Sequence, residues 1–484
     1  MRHQKARLSF AVALGAATVL TVAACAPGPS SSSSSPSSAP PTGTSSSAAG
    51  SGNGQSSSAS GLSTSAGTGS GVNTDPATMG TIKLTVWDQE TSPGISNSLD
   101  ELNKQFHAKY PNITINRVVM SGTDLRTTLK LQLSSNNPPD VAQANQGFAD
   151  MGSYVKAGLL TNLAPYNEAY GWSKRIPSSQ LALDSMTPDG SKLGTGNLYG
   201  VSGTGEVVGI FYNKSILRKL NLPVPTSIEE FESQLPKIKA AGVLPIEYGD
   251  QNLSPSIHLW GVTLIPALGH TTASALVFGG NASWTDPAVA KTATTLQDWS
   301  NAGYLSPGAN GVSSNSAATA FGKGGAAYFL AGTWNENAIT AGLGASGAGF
   351  LVLPETAGGP LTAMGGLGMG WAIPTNAKHK DASAAYINFI TDANAAQVLI
   401  QNNQLPAVPP ANFKADPSTL LGNVLADWAK LTAANGLAPY IDWSTPTMYT
   451  TLSTNLQLLL ANKITVPDFV KAVQADHDKF YSGS

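Results

Sequence analysis

Glu206 stands directly before the run Val207-Val208-Gly209-Ile210-Phe211-Tyr212, a lone carboxylate at the mouth of an otherwise apolar segment. A charge there must be paired, exposed in a cleft or used on a ligand, because burying it unpaired is costly. Asp88, Glu90, Asp250 and Asp442 are further carboxylates close to strand ends or loops, and Asn145, Gln146 and Asn335 add neutral donors and acceptors. Trp87, Trp334, Trp371 and Trp443 each lie beside small or polar residues, an unusual setting for core tryptophans. Trp260, in an apolar helical run, reads as core by pattern alone. Two carboxylates at the right separation would support acid–base chemistry. Carboxylates and amides around indole faces would instead hold a ligand without reacting with it.

Other chemistries find no residues to carry them. Cys25 is the single cysteine, so neither an intrachain disulfide nor a zinc–thiolate site is available. The six histidines show no paired metal-ligand spacing, and no metal or other cofactor is expected. Gly203-Thr-Gly205-Glu-Val-Val-Gly209 misses the dinucleotide spacing by one residue and leads into a strand, Gly365-Gly-Leu-Gly-Met-Gly370 is no phosphate loop, and no Gly-x-Ser-x-Gly elbow occurs.

The elements that would position these groups alternate. Ile82 to Trp87 reads as a strand, Asp88 to Ser98 as a loop, Leu99 to Tyr110 as a helix ended by Pro111, and Ile113 to Val119 as a second strand. Leu125 to Leu133 forms an amphipathic helix and Asp140-Val141 opens a short strand toward Asn145-Gln146-Gly147. Strands alternating with helices predict a largely parallel sheet with ligands at the carboxyl ends of its strands. Trp87 to Glu90 and Asn145 to Gly147 occupy such ends. The small residues Ser202 to Gly205 lead into the 207–212 strand as a hinge would.

At 484 residues the chain can hold two or three domains, and a net charge of −2 with scattered basic residues offers no nucleic-acid surface. Arg2, Lys5 and Arg7, the apolar run Leu8 to Leu20, and Val22-Ala23-Ala24-Cys25 resemble a bacterial lipoprotein signal. Residues 1–24 are then a signal peptide, and lipid on Cys25 anchors the mature chain to the outer face of the cytoplasmic membrane. Residues 25–80, rich in Ser, Gly, Ala and Pro, are expected to be a disordered tether with a reach on the order of 40 Å.

Several segments in order resemble the extracellular solute-binding proteins of ABC sugar importers, the maltose-binding-protein-like group. The likeness rests on Leu84-Thr-Val-Trp87, Pro138-Pro-Asp140-Val141, Val155-Lys-Ala-Gly-Leu-Leu-Thr-Asn-Leu163 and Leu198-Tyr-Gly-Val201 with Phe211-Tyr-Asn-Lys214. It continues through Pro225-Thr-Ser-Ile-Glu-Glu-Phe231, Ala320 to Trp334 and Trp371-Ala-Ile-Pro374 before Ala382 to Phe389. It implies an α/β, two-lobe periplasmic-binding-protein-like fold over residues 81–484, with a hinge that the chain crosses more than once. Lobe 1 would comprise about 81–203 plus 360–402, and lobe 2 about 207–355 plus 403–484. The resemblance puts a sugar-binding carboxylate at Glu206 and stacking aromatics at Trp260 and Trp334. Asn145, Gln146 and Asp88-Gln89-Glu90 depart from the maltose-specific pattern. The implied ligand is a carbohydrate, and the implied partners are the permease subunits of an ABC transporter, with the protein acting as a monomer. A non-sugar solute bound by the same fold, and a secreted glycoside hydrolase, are the alternatives.

Overall fold

The computed structural model describes residues 71–356 and 358–482; the signal peptide, Cys25 and most of the expected tether lie outside the described residues. The strands are β1 Ile82–Asp88, β2 Ile113–Val119, β3 Val141–Ala144, β4 Ser185–Met186, β5 Asn197–Leu198, β6 Gly205–Asn213, β7 Leu244–Glu247, β8 Ala326–Gly332, β9 Ala348–Leu351, β10 Ala363–Leu367, β11 Gly370–Ala372 and β12 Leu437–Ala438.

Lobe 1 is built on the sheet β11-β3-β1-β2. β1 runs parallel to both β2 and β3, and β11 returns antiparallel to β3. In β1, Ile82, Leu84, Val86 and Asp88 are buried, while Lys83, Thr85 and Trp87 alternate to the other face. Asp88 therefore enters the interior, where Arg117 of β2 meets it with two bonds, Nε to Oδ2 at 2.7 Å and Nη2 to Oδ1 at 2.8 Å. Helix Pro93–Lys109 covers this sheet and begins inside the segment expected as a loop, because Pro93 supplies a favourable first helical residue. Helices Lys380–Ile390 and Ala393–Gln401 pack beside it.

Lobe 2 carries the path β12-β10-β6-β8-β7, with β9 also paired to β6. Here the expectation of a parallel sheet fails, since β6 is antiparallel to β8, β9 and β10. β6 enters from the hinge between strands that run back toward it. β10, drawn from the glycine-rich run Ala363-Met-Gly-Gly-Leu, joins this sheet too, so the second crossing falls after Leu367 and not near residue 360.

Three crossings lie side by side. Val201 bridges Trp371, Thr204 bridges Pro406, and the Gly368 N–H donates to the Thr204 carbonyl at 2.9 Å. The end of the presumed tether is also part of lobe 1. Val72 and Met79 pack on its core, and Asn112 Nδ2 donates to the carbonyls of Pro76 and Gly80 at 2.9 and 2.8 Å. Two apolar side chains and these bonds suffice to order a segment that composition alone assigns to coil.

Asp184 sits fully buried where the first two crossings meet. A Cβ on Gly200 or Gly370 would stand 2.9 or 2.3 Å from its Oδ1, so both glycines are needed for the crossings to pass it. The Gln146 amide faces the carboxyl, but neither oxygen closes a hydrogen bond. Burial pushes its pKa from 3.8 up to about 8. Folding thus takes up a proton here, and stability falls as pH rises from the ordinary aspartate range to about 8. Asp184→Asn should raise Tm by an amount that widens with pH across that window; an unchanged or lower Tm at pH 7 would contradict the assignment.

Candidate ligand-binding site

The carboxyl ends of β1 and β3 face the start of β6 across the junction of the lobes. Glu90, just past β1, accepts a hydrogen bond from Gln143 Nε2 at 2.7 Å, and Gln143 Oε1 in turn accepts from the Gln89 N–H at 3.0 Å. Asp88 fixes the Glu90 backbone by accepting its N–H at 3.0 Å. From the other side, Glu206 Oε2 accepts from the Tyr440 hydroxyl at 3.0 Å, and its Oε1 lies over Gly368, 3.0 Å from where a Cβ would stand. Gly368 is two residues before Gly370, whose strand pairs Trp371 with Gln143. This chain of contacts brings the Glu90 and Glu206 carboxyls to the same cleft. Burial, reinforced by the charge of Glu90, raises Glu206 to about 8; burial raises Glu90 to about 7, with Asp88 adding to it and Gln143 and Arg117 opposing it.

Aromatic groups wall this cleft. Trp334 lies on the turn Thr333–Asn335 after β8, and the turn is fastened by Thr333 Oγ1, which accepts from the Val207 N–H at 3.2 Å. The His258 ring meets Trp334 at 5.1 Å and Tyr440 at 6.0 Å, and Tyr440 meets Trp443 at 5.0 Å. Burial lowers His258 to about 4, so it is a neutral donor and acceptor near pH 7. A small cavity of about 10 Å³, nearly closed in this structure, is lined by Ile95, Thr204, Glu206, Thr333, Trp334 and Gln404, with groups from both lobes.

The lobes touch beyond the cavity. Gly147, at φ +85°, leaves room for Trp443; a Cβ there would fall 2.5 Å from the tryptophan's own Cβ. Phe148 packs against Phe480 at 4.8 Å. Arg126, on helix Gly122–Leu133 of lobe 1, pairs with Asp150 at 3.1 Å and lies 4.1 Å over the ring of Tyr449 in lobe 2. Burial raises Asp442 to about 6, and Arg126 opposes that rise. A cation over an aromatic face contributes about 0.5–2 kcal/mol. Arg126→Ala should therefore shift the molecule toward the open form, seen as a larger radius of gyration in solution scattering. An unchanged scattering curve would show that the contact holds nothing shut.

Of the residues singled out in the sequence, Glu90, Glu206 and Trp334 meet at the cleft, and Asp442 and Trp443 at the lobe junction. The others are held elsewhere. Trp260 is a core residue: its indole N–H donates to Thr292 Oγ1 at 3.0 Å, and it packs on Trp284 and Phe469. Asp250 accepts from the Ser256 N–H at 2.9 Å and from Gln457 Nε2 at 3.0 Å, fastening the start of helix Ser254–Leu268. Asp88 is consumed by Arg117. Gln146 donates to the Gly368 carbonyl at 2.9 Å and Asn335 to the Gly332 carbonyl at 2.9 Å, both as buried braces. Asn145 stands beside Asp150 and opposes the rise that burial gives its pKa. Trp371 is buried in lobe 1, and Trp87 packs, partly buried, on the larger core. Tyr440, His258, Gln143, Thr204 and Arg126 are site residues that sequence reasoning passed over. Tyr440, three positions before Trp443, was the one with a local signal.

Two α/β lobes joined by three crossings, with polar and aromatic groups converging on a cavity between them, define a protein that encloses a small ligand. Residues 92–397 match the bacterial extracellular solute-binding protein family, and the chain belongs to that family. It is 26% identical over 345 residues to an uncharacterized ABC transporter extracellular-binding protein of Pyrococcus horikoshii, covering 69% of this chain and 73% of that one. It is 24% identical over 303 residues to a probable sugar-binding periplasmic protein of Mesorhizobium japonicum, covering 61% and 69%. Among solved structures it is similar in fold to a chitin oligosaccharide binding protein (TM-score 0.71, 23% identity, 83% of this chain and 99% of that one). It is also similar to RafE in complex with raffinose (TM-score 0.66, 18% identity, 82% and 99%). The family is extracellular, so the chain works outside the cytoplasm.

Proposed function

We propose that this protein captures a carbohydrate between its lobes and delivers it to the permease of an ABC importer. The observation that carries this reading is the meeting of Trp334 with the Glu206–Tyr440 pair at one cavity between the lobes. An indole offers a flat face to sugar C–H groups, while a carboxyl and a phenol exchange hydrogen bonds with hydroxyls at its rim. Closure follows from contacts that a ligand makes to both lobes at once. The sugar-binding relative and the oligosaccharide-binding fold neighbours support the same class.

Calorimetric titration of the purified protein with a panel of oligosaccharides tests the proposal. Saturable binding of at least one, weakened by Glu206→Ala without loss of ligand-free stability, is the expected result. No binding across the panel, with tight binding of a peptide or polyamine, would replace the carbohydrate. Release of product from an aryl glycoside, abolished by Glu206→Gln, would make the protein a hydrolase.

Lipid on Cys25 completes the proposal, holding a monomer near its permease and raising their effective concentration. Cys25→Ser should move the protein from the membrane fraction to the medium; continued membrane retention would remove the anchor from this account.

A further inference from the structure

The cleft has an uneven charge inventory. Glu90 reaches it from the end of β1 and Glu206 from the start of β6, so closure presses together two carboxyls from opposite sides. Neither carboxylate is ion-paired among the described residues, although the Arg117 charge acts on Glu90 from beside Asp88. Among the described residues, Arg117 spends its side chain on Asp88, Asp100, Ser96 and the Glu90 carbonyl, with no bond to the Glu90 carboxylate. Arg126 is taken up by Asp150 and the Tyr449 ring. His258 faces the cleft but is held neutral by burial, Tyr440 donates to Glu206, and Asp442 and Asp150 are the next carboxylates beyond. One oxygen of each glutamate is left over: Glu90 Oε1 is bonded to Gln143 and Glu206 Oε2 to Tyr440, while Glu90 Oε2 and Glu206 Oε1 carry no hydrogen bond among the described residues. The wall beside Glu206 is Trp334, and Tyr440 and Trp443 continue it.

Acceptor oxygens without an ion-pair partner, set against aromatic faces, suit a positive charge more than a neutral hydroxyl. The geometry points to a saccharide carrying a protonated amine as the ligand of this cleft, its ammonium group held between Glu90 and Glu206 against the aromatic wall. This rests on the carbohydrate reading above and narrows it. A neutral sugar leaves the two carboxyls facing each other, so one must take up a proton as the lobes close. An ammonium group supplies that positive charge itself, and closure then takes up no proton.

Proton uptake therefore separates the two cases. Calorimetry at pH 6.5 with β-1,4-linked disaccharides of glucose, N-acetylglucosamine and glucosamine, each in two buffers of different ionisation enthalpy, gives both affinity and protons bound. The glucosamine disaccharide should bind roughly tenfold or more tighter than the glucose one, as a charge-assisted hydrogen bond implies, with uptake near zero. Glu90→Gln and Glu206→Gln should each remove most of that preference, lowering the affinity of the glucosamine disaccharide by a larger factor than that of the glucose one. Equal or tighter binding of a neutral disaccharide, with uptake approaching one proton, overturns the inference while leaving the carbohydrate reading standing. Failure of every saccharide in the wider panel removes both. If either glutamine variant is unfolded by circular dichroism, the wild-type affinity ratio and proton count still decide.

Discussion

Trp334→Ala is expected to weaken ligand affinity by roughly thirtyfold or more, the effect of removing a central aromatic anchor of about 2 kcal/mol or above. The ring is partly exposed at the cavity, seated against His258, and its turn is fixed independently by Thr333 and Asn335. Removing it deletes a platform without unfastening the turn, so ligand-free stability should fall by about 1–2 kcal/mol, less than for a core tryptophan. Trp334→Phe should restore much of the affinity by keeping a flat face. Titration of both variants, with thermal melts of the ligand-free proteins, checks this. A loss of stability as large as the loss of binding would make Trp334 a core residue that merely lines the cavity.

Arg117→Ala is expected to cost lobe 1 about 3–5 kcal/mol, because it strands Asp88 as an uncompensated charge in the interior. Asp88 is fully buried and the Arg117 side chain is only 8% exposed. Against a total stability of about 5–15 kcal/mol that is a large fraction. The double variant Asp88→Ala/Arg117→Ala should lose less than Arg117→Ala alone, since it leaves no orphaned charge. Denaturant unfolding of the three proteins measures the difference. A loss below about 1 kcal/mol for Arg117→Ala would show that water reaches Asp88. The same variant should weaken ligand binding, because Asp88 also holds the Glu90 backbone in place.

The fate of particular residues shows what could be read in advance. Glu206 was legible because a charge at the head of an apolar strand has few destinations, and one of them is a cleft. Asp88 was misassigned although its parity was visible: it shares a face with Leu84 and Val86, which are buried, and so belonged inside. Trp260 shows the opposite error. Its apolar helical run indicated core, and the family resemblance argued for a ligand platform; the run was right, because a tryptophan surrounded by apolar turns is buried whatever position it shares with relatives. The lobes were legible as alternating elements and as a family pattern. The antiparallel setting of β6 was not, since strand direction is decided by where the hinge delivers the chain. Tyr440 and His258 reach the cleft from helices and turns distant in sequence, and only tertiary packing makes them neighbours of Glu206 and Trp334.

The late arrival of β11 bears on how the molecule is made. β1, β2 and β3 emerge early in synthesis, yet the outer edge of β3 is closed only by Gly370–Ala372, after the chain has passed through lobe 2. Until then lobe 1 presents an unpaired strand edge to its surroundings, an invitation to association with other chains. Contacts of such long sequence separation make folding slow, and they leave the early half unable to finish alone. A chain cut at the first crossing should therefore yield no independently folding fragment, because its first strands keep an open edge until the second crossing brings β11 to β3.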